Sequence, residues 1–125
     1  MNPRHAASAY RESSIENAPP IKIVRMLYQG ALRFLDRAQA DNVQPNDPQF
    51  VYLLTRVEAI VAELRVALDP SHAPQIADNL EQLYLFVEER LRQAGMEHSK
   101  APLGDARKVL ENLLDAWTRV EVGTR

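Results

Sequence analysis

Three histidines, His5, His72 and His98, and one adjacent carboxylate pair, Glu88–Glu89, are the residues most suited to chemistry. A metal centre on a helix needs ligands three or four residues apart, so that both face the same way. No histidine here has a Cys, His, Asp or Glu three or four residues further on. Glu-x-x-His does not occur, which argues against a di-iron or di-manganese bundle site. HExxH, a glycine-rich phosphate loop and GxSxG are missing too, and the chain has no cysteine. Glu88 and Glu89 would point about 100° apart on a helix, so they read as a solvated face rather than an acid–base pair. The expectation is a protein that is not an enzyme and holds no cofactor or metal.

The 125 residues fit one domain, large enough to fold without a disulfide or metal. The formal net charge is −2, with 15 basic and 17 acidic side chains interspersed. No basic block tracks a phosphate backbone, so nucleic acid is not an expected partner. MNPRHAASAYRESS has no apolar core and does not read as a secretory signal. No apolar run approaches the roughly 18 residues that would insert in a membrane, and cytoplasm is the default compartment.

Prolines divide the chain, and four stretches between them carry helical periodicity. The first runs from about Pro20 to Asp41. The second runs from about Asp47 to Leu68, with Asp47 as N-cap and Phe50, Leu53, Leu54, Val57, Ile60, Val61, Leu64 and Leu68 as its stripe. The third runs from about Pro74 to Ala94 on Ile76, Leu80, Leu83, Tyr84, Val87 and Leu91, with Gly95 as its C-cap. The fourth runs from about Pro102 to Val122 on Ala106, Val109, Leu110, Leu113, Leu114, Trp117 and Val120. No period-2 alternation or Asn-Gly turn suggests a strand. The pattern predicts an all-α antiparallel four-helix bundle over residues 19–125. Residues 1–18, rich in Ser and Asn, read as a flexible N-terminal arm that nonetheless carries Tyr10 and Ile15.

The first helix is apolar over too much of its circumference. Ile21, Val24, Leu27, Tyr28, Ala31, Leu32, Leu35 and Ala38 form one face. Ile23 and Phe34 widen it, with Met26 and Gly30 just beyond. A surface helix needs an apolar arc of only about 100°, and this one covers roughly half the circle. Gly30 costs about 1 kcal/mol relative to alanine. Two readings remain open. The helix lies deep in the bundle with Gly30 as a packing notch, or the margin of Ile23, Met26, Leu27, Gly30 and Phe34 lines a groove for a partner. In the third helix Leu85 falls among charged positions and Phe86 among polar ones, a second pointer to a contact surface.

These features together resemble a known family. SAY at residues 8–10, IVRMLYQGALRFL at 23–35, LEQLYLFVEERL at 80–91 and LLDAW at 113–117 are similar, in this order, to the flagellar secretion chaperones of the FliS family. The most specific segment holds Tyr28 and Gly30 on the first helix. The resemblance implies a cytoplasmic helical bundle without cofactor. It implies a client, the disordered C-terminal segment of flagellin, kept from premature polymerisation and delivered to the flagellar type III export gate. It also implies an N-terminal arm that lies over part of the client surface, with Tyr10 associated with docking at the gate component. Two departures stand out: Ala18-Pro19-Pro20 lacks a hydroxyl N-cap, and Leu85 occupies a usually polar place between Tyr84 and Phe86. The alternative class is a self-associating structural or regulatory helical module, a weak homodimer through the same surplus surface.

Overall fold

The computed structural model describes residues 3–4, 21–71 and 73–123, with side chains through residue 120. Four helices make up the bundle: α1 Ile21–Gln39, α2 Pro48–Val66, α3 Pro74–Glu97 and α4 Leu103–Gly123. Each lies within a few residues of the stretch its periodicity predicts, and no strand occurs among the described residues. Of the arm expected over residues 1–18 only residues 3–4 are described; Tyr10 and Ile15 lie outside the described residues.

Two of the end signals act differently from their sequence reading. Asp47 occupies the cap position of α2 in an extended conformation, but its carboxylate makes no cap bond to the helix. It turns back and accepts the Gln44 backbone N–H at 2.9 Å, so it braces the preceding turn. Pro48 supplies the preset φ that starts the helix. Gly95 does not end α3. The helix runs on to Glu97, and His98 takes the left-handed conformation with φ 50°. The backbone N–H groups of His98 and Ser99 both reach the Ala94 carbonyl, which closes the last turn. Histidine tolerates positive φ better than most side chains, so the chain can turn without glycine here.

Around the bundle, α1 packs on α2 and α4, and α3 packs on the same two helices. α1 and α3 are therefore diagonal partners. They meet only through long side chains at the centre. The Tyr28 and Tyr84 hydroxyls are hydrogen-bonded at 2.5 Å, and Trp117 Nε1 donates to Tyr28 Oη at 3.2 Å. Both tyrosines and the tryptophan are buried. Burial, reinforced by Tyr84, pushes the Tyr28 hydroxyl well above the ordinary tyrosine value, so it stays protonated and available to bond. Above and below this knot the core is mainly aliphatic, with Phe50 among Leu35, Leu53, Leu80, Leu91, Leu110 and Leu113, all essentially inaccessible. The stripes read from the sequence form this core, joined by Leu103, Ala77, Ala94 and Ala116.

Glu88 is not on a solvated face. It is the one charged residue buried among those described. Arg65 of α2 donates to both its oxygens, Nε at 2.9 Å and Nη2 at 3.4 Å. Glu88 lies on the flank of α3 that α2 covers, and the cation that pairs it comes from 23 residues earlier, outside any local pattern. The bonds to Glu88 raise the Arg65 guanidinium above its ordinary value and hold it charged. Glu89 remains exposed beside Arg90, so the two carboxylates do not act together.

Candidate functional site

The surplus apolar arc of α1 is real and lies along its seam with α2. At 100° per residue, Leu27, Phe34, Ile23, Gly30, Arg37, Met26 and Arg33 follow one another from the core margin outward. The antiparallel run of α2 brings Ala67, Glu63, Ile60 and Arg56 alongside. Ile23 is 49% exposed and Met26 is 52% exposed. Leu27 and Phe34 are half-buried, packed against the core edge. The seam is therefore a furrow with apolar walls rather than a closed packing face.

At one end the furrow deepens into a cavity of about 90 Å³. Ile23, Val24 and Leu27 line it from α1, Leu64 and Ala67 from α2 and its end, and Tyr84 and Trp117 form its floor. Among the described residues Glu63 supplies the one carboxylate on its rim. The tyrosine–tryptophan knot thus reaches from the bundle centre to the surface. At the other end Phe34 is flanked by two cations. The guanidinium carbon of Arg37 is 5.8 Å from the ring centroid and that of Arg56 is 5.4 Å from it. Between the two ends lies Gly30. A Cβ there would meet Ile60 Cδ1 at 3.6 Å and Arg33 Nη2 at 3.7 Å, both ordinary contacts. No close approach of backbone demands glycine at this point.

Leu85 and Phe86 do not join this furrow. They project from the outer side of α3, diagonal to α1, and are 37% and 39% exposed. Arg90 stacks over Phe86, its guanidinium carbon 5.5 Å from the ring centroid. The sequence-expected contact residues therefore fall on opposite sides of the bundle: Ile23, Met26, Leu27, Gly30 and Phe34 together, Leu85 and Phe86 apart. A separate shallow groove of about 260 Å³ runs between α2 and α3, lined by Val51, Leu54, Thr55, Glu58 and Met96 among others. There partial burial raises the Glu58 carboxyl above its ordinary value; Arg92 pulls it down and Glu88 pushes it up.

Sequence reasoning about single helices missed Arg56, Glu63, Ala67 and Trp117 as walls of the furrow. The signal is present but divided: Arg56, Ile60, Glu63 and Ala67 share one flank of α2 and its end at three- and four-residue steps. Only the pairing of α2 with α1 shows which flank counts. Among the described residues no group of three or more metal-ligating side chains gathers. No described helix is long and apolar enough to cross a membrane.

Fold and furrow define a class: a helical bundle with an exposed apolar seam and no group of metal-ligating side chains among its described residues. The profile of the family described as "Flagellar protein FliS" matches residues 2–124, and the chain belongs to that family. The flagellar secretion chaperone FliS of Campylobacter jejuni is 32% identical over 115 residues, covering 92% of this chain and 90% of its own. The FliS chaperone of Vibrio cholerae is 31% identical over 121 residues, with 94% and 89% covered. That of Escherichia coli K12 is 32% identical over 108 residues, with 85% and 79% covered. FliS is a family of flagellar secretion chaperones and not of enzymes.

Proposed function

We propose that this chaperone holds the disordered C-terminal segment of flagellin in the cytoplasm, blocks its premature polymerisation and hands it to the type III export gate. The observation that supports this reading is the open furrow on α1, where Ile23 and Met26 stay half-exposed beside a cavity. An amphipathic segment docks in such a seam by laying its apolar face into it. Burial of apolar area contributes about 25 cal/mol per Å² before costs. Ordering a disordered client subtracts roughly 2–5 kcal/mol, which favours release at the gate. Leu85 and Phe86 give a long client a second foothold across the bundle.

The N-terminal arm acts as a competitor in this proposal, with Tyr10 and Ile15 as its anchors; Tyr10 also serves the gate component. A tethered competitor acts at an effective concentration of roughly mM, and 90% occupancy would lower client affinity about tenfold.

Co-purification with full-length flagellin, and with flagellin lacking its C-terminal segment, tests the proposal. Capture of the first and loss of the second is expected; equal capture of both overturns it. Deleting residues 1–16 should tighten peptide binding in calorimetry, and unchanged affinity removes the competitor role. A concentration-dependent dimer that flagellin peptide fails to dissociate would favour self-association through the furrow instead.

A further inference from the structure

The furrow is not electrically neutral along its length. Arg37 and Arg56 approach one Phe34 ring, at 5.8 and 5.4 Å from its centroid. Arg33 leans back over Gly30, with Nη2 3.7 Å from where a side chain would begin. None of these arginines has an ion pair with an acid among the described residues. The acid nearest in sequence to Arg33 and Arg37, Asp36, is engaged by Arg107 on the opposite flank of α1. Two cations thus flank the Phe34 end of an apolar seam and a third lies over Gly30 next to it, in a chain whose formal net charge is −2. Like charges held this close repel, and an anion between them relieves that repulsion. Guanidinium groups also favour carboxylates, which they can grip with paired N–H groups. The far end of the furrow has the opposite sign, with Glu63 at the rim of the cavity.

We propose that the α1–α2 furrow selects an amphipathic segment whose carboxylates flank its apolar face at the Phe34 end. Arg33, Arg37 and Arg56 grip those carboxylates, and the apolar side chains descend along Gly30 and Leu27 toward the cavity. The identity of the client rests on the chaperone reading above, but the charge rule concerns the furrow itself.

Two synthetic helical peptides test it on the full chain. Both carry leucines at i, i+3, i+4 and i+7; one has flanking glutamates and its twin has lysines. The wild type should bind the glutamate peptide more tightly by roughly five- to tenfold, the worth of two partly exposed ion pairs. At about 0.5 M salt the preference should shrink. Without a local site the negative chain would favour the lysine peptide, so the sign of the preference is diagnostic. In the double variant R37E/R56E the preference should invert, with helical circular dichroism unchanged. If that variant misfolds, R37Q/R56Q should fold and reduce the preference to the share that Arg33 alone supplies.

Equal binding of both peptides, tighter binding of the lysine twin, binding of neither, or a preference intact in the glutamine variant would overturn the proposal. Displacement of a self-associated dimer equally by both peptides would assign the furrow to a second copy and overturn it as well. Flagellin capture without a glutamate preference refutes the charge rule alone. A glutamate preference without flagellin capture refutes the client assignment alone.

Discussion

Gly30→Ala separates a glycine kept for packing from one kept for a guest. The added methyl would sit 3.6 Å from Ile60 Cδ1 and 3.7 Å from Arg33 Nη2, ordinary distances that require no neighbour to move. No folded-state clash therefore offsets the gain in helix propensity, which is about 1 kcal/mol in a helix interior. The gain comes largely from the unfolded chain, which loses conformational freedom when glycine is replaced. For a domain of this length it should raise the unfolding midpoint by about 4 °C. Gly95→Ala on α3 serves as an internal control. Its methyl would meet Leu54 Cδ1 at 3.8 Å, and it should move the midpoint the same way. The two substitutions should part company in calorimetry with a flagellin C-terminal peptide. Gly30→Ala narrows the furrow between Leu27 and Phe34 and should weaken binding severalfold. A lower midpoint for Gly30→Ala would refute the geometric reasoning and restore the packing notch. A higher midpoint with unchanged binding would take the furrow out of the client's path.

Tyr28→Phe deletes the hydroxyl that joins Tyr84 and Trp117 and should cost about 2 kcal/mol, roughly 1 per hydrogen bond. Thermal unfolding should show a midpoint about 8 °C lower. Tyr84→Phe keeps the Trp117 bond to Tyr28 and should cost about half as much, so equal losses would refute the central role of Tyr28. The Glu58 carboxyl is raised above its ordinary 4.5, so its charged form is the one the fold disfavours. Glu58→Gln should therefore stabilise at neutral pH. As pH falls through the raised folded value and then past 4.5, wild-type Glu58 takes up its proton and the advantage of glutamine should vanish. Midpoints measured at neutral and acid pH check this, and a constant difference would contradict it.

The bundle was legible because each helix carries its own stripe. Leu53, Val57 and Leu64 announce a buried face from spacing alone, as do Leu110, Leu113 and Trp117. The breadth of the apolar arc on α1 left both a packing face and an open margin in play, and Ile23 and Met26 are about half exposed. What spacing could not reveal depends on which helices become neighbours. Glu88 looked solvated because its partner Arg65 belongs to another helix. Leu85 and Phe86 pointed to a contact surface, but a helical projection carries no information about the diagonal that sets them apart from Met26. Gly95 invited a C-cap that His98 provides instead, because backbone bonding to Ala94 set the turn. Arg56 meets Phe34 only through the pairing of α1 with α2, which spacing within one helix does not show.

Trp117 is the chain's only tryptophan. Its indole joins the knot at the bundle centre and also forms part of the cavity floor. The protein therefore carries a built-in optical gauge at the junction of its core and the seam proposed for docking. Any side chain entering that recess displaces solvent against the indole, while loosening of α1 from α4 strips away its hydroxyl acceptor. Emission from one ring thus senses both the integrity of the scaffold and the arrival of a guest, without an attached dye.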